Sequence, residues 1–244
     1  MQCLPYSGVL RNNSSDKEKL VIVKDNALNE YLYQEMLNDP LFYPESMGSD
    51  ERLATELNSY HYEKSSCFAP YMFWDGWWAS PASTLRKRVV EAIWKENLPC
   101  PESEILGIEY WTRTYLPGQY LDVHVDEDTF LYQDTKTFSG PLTGSILYGI
   151  DNADGGFVEI YNKAILKDGE KLAIEAENIN NLLVPVEERE RIAYKGNRLI
   201  IFDTGHVVHG TTPAKSGIRQ VMVTNVWHRE NPPTALKLGE FYYE

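Results

Sequence analysis

Two segments of the first hundred residues carry apolar side chains at helical spacing. Residues 27–38, ALNEYLYQEMLN, place Leu28, Tyr31, Leu32 and Met36 on one side, with Asn26 positioned to cap the start and Pro40 to stop the helix. Residues 83–97, STLRKRVVEAIWKEN, repeat the pattern with Leu85, Val89, Ile93 and Trp94; Ser83 can cap it and Pro99 follows. The run VIVKD, 21–25, predicts a short strand, and residues 1–20 read as a polar leader. From residue 104 the period shortens to two. ILGIEYWTRTY, YLDVHVD, GSILYGI, GGFVEIY, ERIAYKGNRLIIFD and RQVMVTNVWH are β-rich runs separated by Gly and Pro. Residues 162–191 interrupt this texture with many charges and predict a long excursion, such as a hairpin; a solvated surface loop is the commoner case for such insertions and a functional lid the alternative.

This order of elements predicts an α+β, mainly β fold. A jelly roll is one way to close so many short strands, with N-terminal helices on one outer face. We expect a single domain over 1–244: a mostly helical support region over 1–103, a core over 104–230 holding the 162–191 insertion, and a C-terminal tail over 231–244.

Composition narrows the classes. Hydrophobic residues make up 43% of the chain, enough for a substantial core. A net charge of −13 is the wrong sign for a duplex-binding surface, so nucleic acid is not an expected partner. The cysteines, Cys3, Cys67 and Cys100, are odd in number and lack CxxC spacing, which argues against a disulfide framework or a thiolate metal site. No run approaches the ~18 apolar residues of a membrane helix. A reducing, cytoplasmic setting is expected, with no membrane partner.

The chemistry concentrates in two stretches, YLPGQYLDVHVD (115–126, counting from Tyr115) and HGTTPAKSGIR (209–219). On a strand His124 and Asp126 point the same way, so HxD is a two-donor clamp. A third donor from a distant strand, His209, completes a two-histidine, one-carboxylate face with open coordination positions, the pattern of non-haem Fe(II) oxygenases. His206 is the rival third ligand; it lies three residues from His209 and would face the other way on a straight strand. Arg219, ten residues after His209, suits a carboxylate-bearing co-substrate. Asp203 either orients a ligand or caps a turn, and the turn is favoured. Trp74, Trp77 and Trp78 are expected mainly to pack helices onto the sheet.

These residues resemble the Fe(II)- and 2-oxoglutarate-dependent oxygenases, closest to the prolyl 4-hydroxylase-like group. The matching features are Tyr115 with Gly118, His124 with Asp126, Gly155-Gly156, and His209 with Arg219, across roughly 109–228. The resemblance implies a double-stranded β-helix. It implies Fe(II) held by His124, Asp126 and His209, and 2-oxoglutarate bound with its far carboxylate on Arg219 and the Tyr115 hydroxyl. O₂ is the second co-substrate and ascorbate an expected reductant. The charged insertion departs from the compact members.

Period-two reasoning extends the pocket. If Arg219 faces inward, so do Val221, Val223, Asn225 and Trp227; if Tyr115 does, so do Arg113, Trp111 and Glu109. Arg113 either grips an acidic group on the substrate or pairs with Glu109 or another acid. The expected activity is hydroxylation of an unactivated C–H of a small molecule, amino acid or peptidyl residue, releasing succinate and CO₂. The alternatives are a peptidyl-prolyl hydroxylase acting on a protein and a non-catalytic jelly-roll binder.

Overall fold

The computed structural model describes residues 21–38, 67–68, 71–121, 123–165 and 189–241. The leader, Cys3, His61, Pro40 and most of the 162–191 insertion lie outside the described residues. No helix among the described residues is long and apolar enough to cross a membrane.

The architecture is mainly antiparallel β, jelly-roll-like, with few helices. In chain order the elements begin with β1 (Val21–Asp25), α1 (Glu30–Leu37), β2 (Cys67–Phe68), β3 (Met72–Trp74), α2 (Leu85–Trp94) and β4 (Ile105–Tyr115). They continue with α3 (Thr129–Thr135), β5 (Thr143–Tyr148), β6 (Asp154–Gly155), β7 (Val158–Ile165), β8 (Glu190–Ile192) and β9 (Arg198–Phe202). Last come β10 (Val207–Thr211), β11 (Ala214–Ser216), β12 (Arg219–His228) and α4 (Thr234–Leu238). A seven-stranded sheet runs β1-β9-β5-β12-β4-β2, with β3 also on β4; β10-β7-β8 form a second sheet and β11-β6 a third pair.

The stretch expected to be mostly helical therefore also supplies three strands to the large sheet. β2 and β3, two and three residues long, are too short to show a period in the sequence. Both helices start later than their patterns suggest. Asn29, not Asn26, accepts from Leu32 N at 2.9 Å and caps α1, because Asn26 sits in the left-handed region at φ 52°. Thr84, not Ser83, accepts from Lys87 N at 3.3 Å and caps α2. The two helices lie on one face of the large sheet. Leu32 and Met36 of α1 join Val89, Val90, Ile93 and Trp94 of α2 over Ile108, Tyr110, Leu147, Ile201, Met222 and Val226. Trp74 is buried in that cluster and Trp77 and Trp78 pack against it, in keeping with a structural role for the tryptophans. The Trp94 indole donates to Thr224 Oγ1 at 2.7 Å, so the one polar atom of this large side chain is satisfied.

The opposite face of the large sheet meets the β10-β7-β8 sheet. Ile146, Tyr148, Ile200, Phe202 and Val221 from one side pack with Val158, Ile160, Ile192 and Val207 from the other. β7 and β8 pair as the two arms flanking the insertion, with Val158 opposite Ile192.

Candidate active site

Register places the sequence-predicted pocket residues in cross-strand rows on the inner face of the large sheet. Tyr115 is opposite Arg219, Arg113 opposite Val221, Trp111 opposite Val223, and Glu109 opposite Asn225. β5 continues three of these rows, with Tyr148 beside Val221, Ile146 beside Val223 and Gly144 beside Asn225, and Phe202 of β9 extends the last. The period-two reading of β4 and β12 thus holds over nine paired positions, Arg219 to Trp227, before the register shifts at His228.

From Val123 to Asp126 the chain is not a continuous strand. His124 forms a single bridge to His209, its N–H donating to His209 O at 2.8 Å and its carbonyl oxygen accepting from His209 N at 2.8 Å. Two residues on, Asp126 N turns away to Thr204 O at 2.9 Å. The backbone is thus pinned to two different elements, and both side chains still converge. One donor atom from each of His124, Asp126 and His209 lies within 4.8 Å of the others. Asp126 Oδ1 is 3.6 Å from His124 Nε2 and 3.9 Å from His209 Nε2. The segment after Asp126, expected as a loop, winds into α3, capped by buried Asp128. Its Oδ1 accepts from Leu131 N at 3.1 Å and its Oδ2 from Thr234 N at 2.6 Å, tying α3 to α4.

Protonation favours ligation. Val207 O lies 3.0 Å from His209 Nδ1, which fixes that nitrogen as the proton carrier and leaves Nε2 as the free donor. Burial, reinforced by the neighbouring His124, presses the His209 imidazole down to about 4, so it is neutral at pH 7. Burial raises the Asp126 carboxyl, but its polar contact with His124 and the nearness of the two imidazoles outweigh that and hold it below the ordinary range. The His209 ring rests edge-on against Phe202 at 4.9 Å between centroids. His206, the rival ligand, is held elsewhere: Asp203 Oδ1 accepts its backbone N–H at 3.0 Å and sits 2.8 Å from its Nδ1. Asp203 is therefore a turn cap. His228 lies at the surface end of β12, 3.9 Å from Glu104.

Arg219 is 1% exposed. Its Nη2 donates to Thr211 Oγ1 at 3.0 Å and its Nη1 to Thr212 O at 3.3 Å and Gly156 O at 3.4 Å, while Nε has no partner. The guanidinium lies over the Tyr115 ring, 4.2 Å from its centroid. Gly156 explains the GG pair: at φ 73° it tolerates the left-handed region, and a Cβ there would press on Arg219 Cδ at 3.4 Å. His209 and Thr211 are two apart on β10, about 7 Å along the strand, so the third ligand and the residue that anchors the guanidinium share one side of it.

Tyr148 escaped the sequence reading, where it looked like one more β-strand aromatic. It is fully buried, its hydroxyl has no partner, and burial pushes it up to about 12 despite the nearby Arg219 charge. A buried tyrosine hydroxyl left unbonded beside a buried guanidinium points to a ligand. Arg113 does not pair with Glu109; it is 4% exposed and its Nη1 donates to the Tyr115 hydroxyl at 3.3 Å. Trp227 donates to Glu109 Oε2 at 2.9 Å, and Asn225 Oδ1 accepts from Thr204 Oγ1 at 3.1 Å. Gly144 makes room for that last bond, since a Cβ would collide with both Thr204 Oγ1 and Asn225 Oδ1.

No protein-family model and no curated protein matches the chain. Similar solved structures include a prolyl-4-hydroxylase from Pseudomonas putida, at TM-score 0.47 and 15% identity over 86% of this chain and 93% of that one. A viral collagen prolyl hydroxylase from Paramecium Bursaria Chlorella virus-1 aligns at 0.43 and 16% identity, over 85% of this chain and 96% of that one. A 2OG-Fe(II) oxygenase family oxidoreductase from Burkholderia pseudomallei aligns at 0.34 and 10% identity, over 62% and 56%. Each is a likeness of outline at low identity, and the functional reading stands on the side chains.

Proposed function

We propose that the chain is a non-haem Fe(II)- and 2-oxoglutarate-dependent dioxygenase built on a double-stranded β-helix. It hydroxylates an unactivated C–H of a small molecule, amino acid or peptidyl residue and releases succinate and CO₂. The observation that carries this reading is the pairing of two half-sites on one inner surface. A three-donor face of two histidines and a carboxylate and a buried guanidinium are anchored two residues apart on β10, by His209 and Thr211, an arrangement suited to a dicarboxylate.

The residues present fit both groups. His124, Asp126 and His209 would hold the ion, with one negative and two neutral donors, and leave part of its coordination sphere for co-substrate and O₂. Arg219 Nε and the Tyr148 hydroxyl are buried donors without partners, and a carboxylate would accept from both. When bound, the iron supplies the oxidising chemistry, driven by decarboxylation of 2-oxoglutarate. The chain's own work is placement. Val207 O holds the His209 tautomer, and Thr211 and Thr212 fix the guanidinium plane. Phe202, Val221 and Ile146 exclude water from the space between.

Incubation with Fe(II), 2-oxoglutarate and ascorbate should yield slow succinate formation without substrate. Arg219→Ala should weaken 2-oxoglutarate binding by roughly 30-fold, about 2 kcal/mol for charge-assisted hydrogen bonds. A wild-type chain that binds neither iron nor 2-oxoglutarate would be a jelly-roll binder instead.

A further inference from the structure

Glu109 and Trp111 stand two residues apart on β4 and share the inner face of the large sheet. Both are half-buried, as is Val223 opposite Trp111. Further along the same face Arg113, Val221, Tyr148, Tyr115 and Arg219 are all closed off. The opening onto this face therefore lies over Glu109, Trp111 and Val223. The Glu109 carboxyl accepts from the Trp227 indole at 2.9 Å and from the Asn225 side chain, both neutral donors. Among the described residues no lysine, arginine or histidine pairs with it. Burial, with Asp126 and Asp128 as its charged neighbours, pushes the carboxyl up to about 8. Next to it Trp111 packs against the exposed Tyr71, ring centroids 4.8 Å apart and planes tilted by 57°. A carboxyl that lacks a counter-ion and an adjoining pair of aromatic rings are the two components that recognise an organic cation.

We propose that Glu109, with Trp111 and Tyr71 beside it, receives the cationic group of the substrate, an ammonium or guanidinium on an alkyl stem, and so selects basic substrates. The assignment rests on the oxygenase reading and gives it a substrate class. An arriving cation draws the carboxyl into its ionised form, the proton passing to solvent, and the stem of the cation lies along Trp111 and Val223. Arg113, for which the sequence left open an acidic substrate group or a structural acid, does not oppose this, because it is buried against Tyr115. The net charge of −13 favours approach of cations over anions.

Calorimetric titration of the full chain at pH 9, where the Glu109 carboxyl is ionised, with n-butylguanidinium and its neutral isostere n-butylurea tests the site. The wild type should bind the guanidinium at least about tenfold more tightly than the urea, as expected for a charge-assisted pair. Glu109→Gln, which keeps an acceptor for the Trp227 indole, should bring the two ligands to within about twofold. Tyr71→Ala, at an exposed position, should weaken the guanidinium by about threefold and leave the urea unchanged. Equal affinity of the wild type for both ligands, or a preference that survives Glu109→Gln, overturns the proposal. Titration of the same wild-type protein with 2-oxoglutarate and Mn(II) reports separately on the oxygenase. Cation preference without 2-oxoglutarate binding supports this site and removes the oxygenase; the converse removes this site alone.

Discussion

The two faces of the seven-stranded sheet are made by the same residues counted alternately, yet they do opposite work. On the helix side β4 and β12 contribute Ile108, Tyr110, Met222, Thr224 and Val226, closed under α1 and α2. On the inner side the intervening positions are Glu109, Trp111, Arg113, Tyr115, Arg219 and Asn225. Hydrophobic burial secures the first face. The second holds three charged side chains in low exposure, and each must be met by hydrogen bonds, rings or a ligand. The lesson is that the packed face stabilises a sheet stiff enough to present costly polar groups on its other side.

The largest effect should come from the packed face. Trp94→Ala removes a fully buried indole and its bond to Thr224, and should cost about 3–5 kcal/mol in denaturant unfolding. Whatever protein remains folded should still bind 2-oxoglutarate with unchanged affinity; a loss there would break the separation between faces. Asp126→Ala on the inner side should do the reverse. Succinate formation should fall by at least about 100-fold, beyond the 10–100-fold of a change in a ligand's supporting residue, while unfolding moves little. Bound iron measured after gel filtration should fall in parallel. A smaller effect is expected for Tyr148→Phe, which deletes one unpartnered hydroxyl. The affinity for 2-oxoglutarate should drop by about fivefold, near 1 kcal/mol for one hydrogen bond, and an unaltered Kd would remove Tyr148 from the pocket.

The finest comparison lies within the inner face and concerns pH. The Glu109 carboxyl is held at about 8 against an ordinary 4.5, so the folded chain keeps its proton longer than the unfolded one. Its contribution is complete below pH 4.5 and is lost as pH rises toward 8. The His209 imidazole is held at about 4 against 6.5, so its contribution is complete above pH 6.5 and is lost as pH falls toward 4. In metal-free protein, the Tm of Glu109→Gln relative to wild type should climb between pH 4.5 and 8. The Tm of His209→Gln relative to wild type should climb in the other direction, from pH 6.5 down to 4. Melting curves that stay parallel across these windows would mean that neither group differs between the folded and unfolded chain.

Much of the site was legible because strand geometry is strict. Period two along β4 and β12 put Tyr115, Arg113, Trp111, Arg219 and Asn225 on one surface, and HxD with a distant histidine pointed to a common centre. Three things were not legible, each for a physical reason. The HxD segment leaves its strand after a single bridge because Asp126 N finds Thr204 O, a partner from a remote loop that no local pattern encodes. Tyr148 reads as strand propensity, and only burial shows that its hydroxyl has nothing to bond. Arg113 and Glu109, four apart with opposite charge, invited a pairing. The structure gives each its own neighbour, the Tyr115 hydroxyl for one and the Trp227 indole for the other.

His124 and His209 are joined main chain to main chain by two reciprocal hydrogen bonds of 2.8 Å. Peptide geometry, rather than an ion, sets how far apart their imidazoles begin. Loading such a centre requires no refolding, so the free energy of capture appears as affinity instead of being consumed in ordering the chain. Chelation should then strip the ion and leave a folded, reloadable receptacle, unlike the collapse that follows when zinc is taken from a finger.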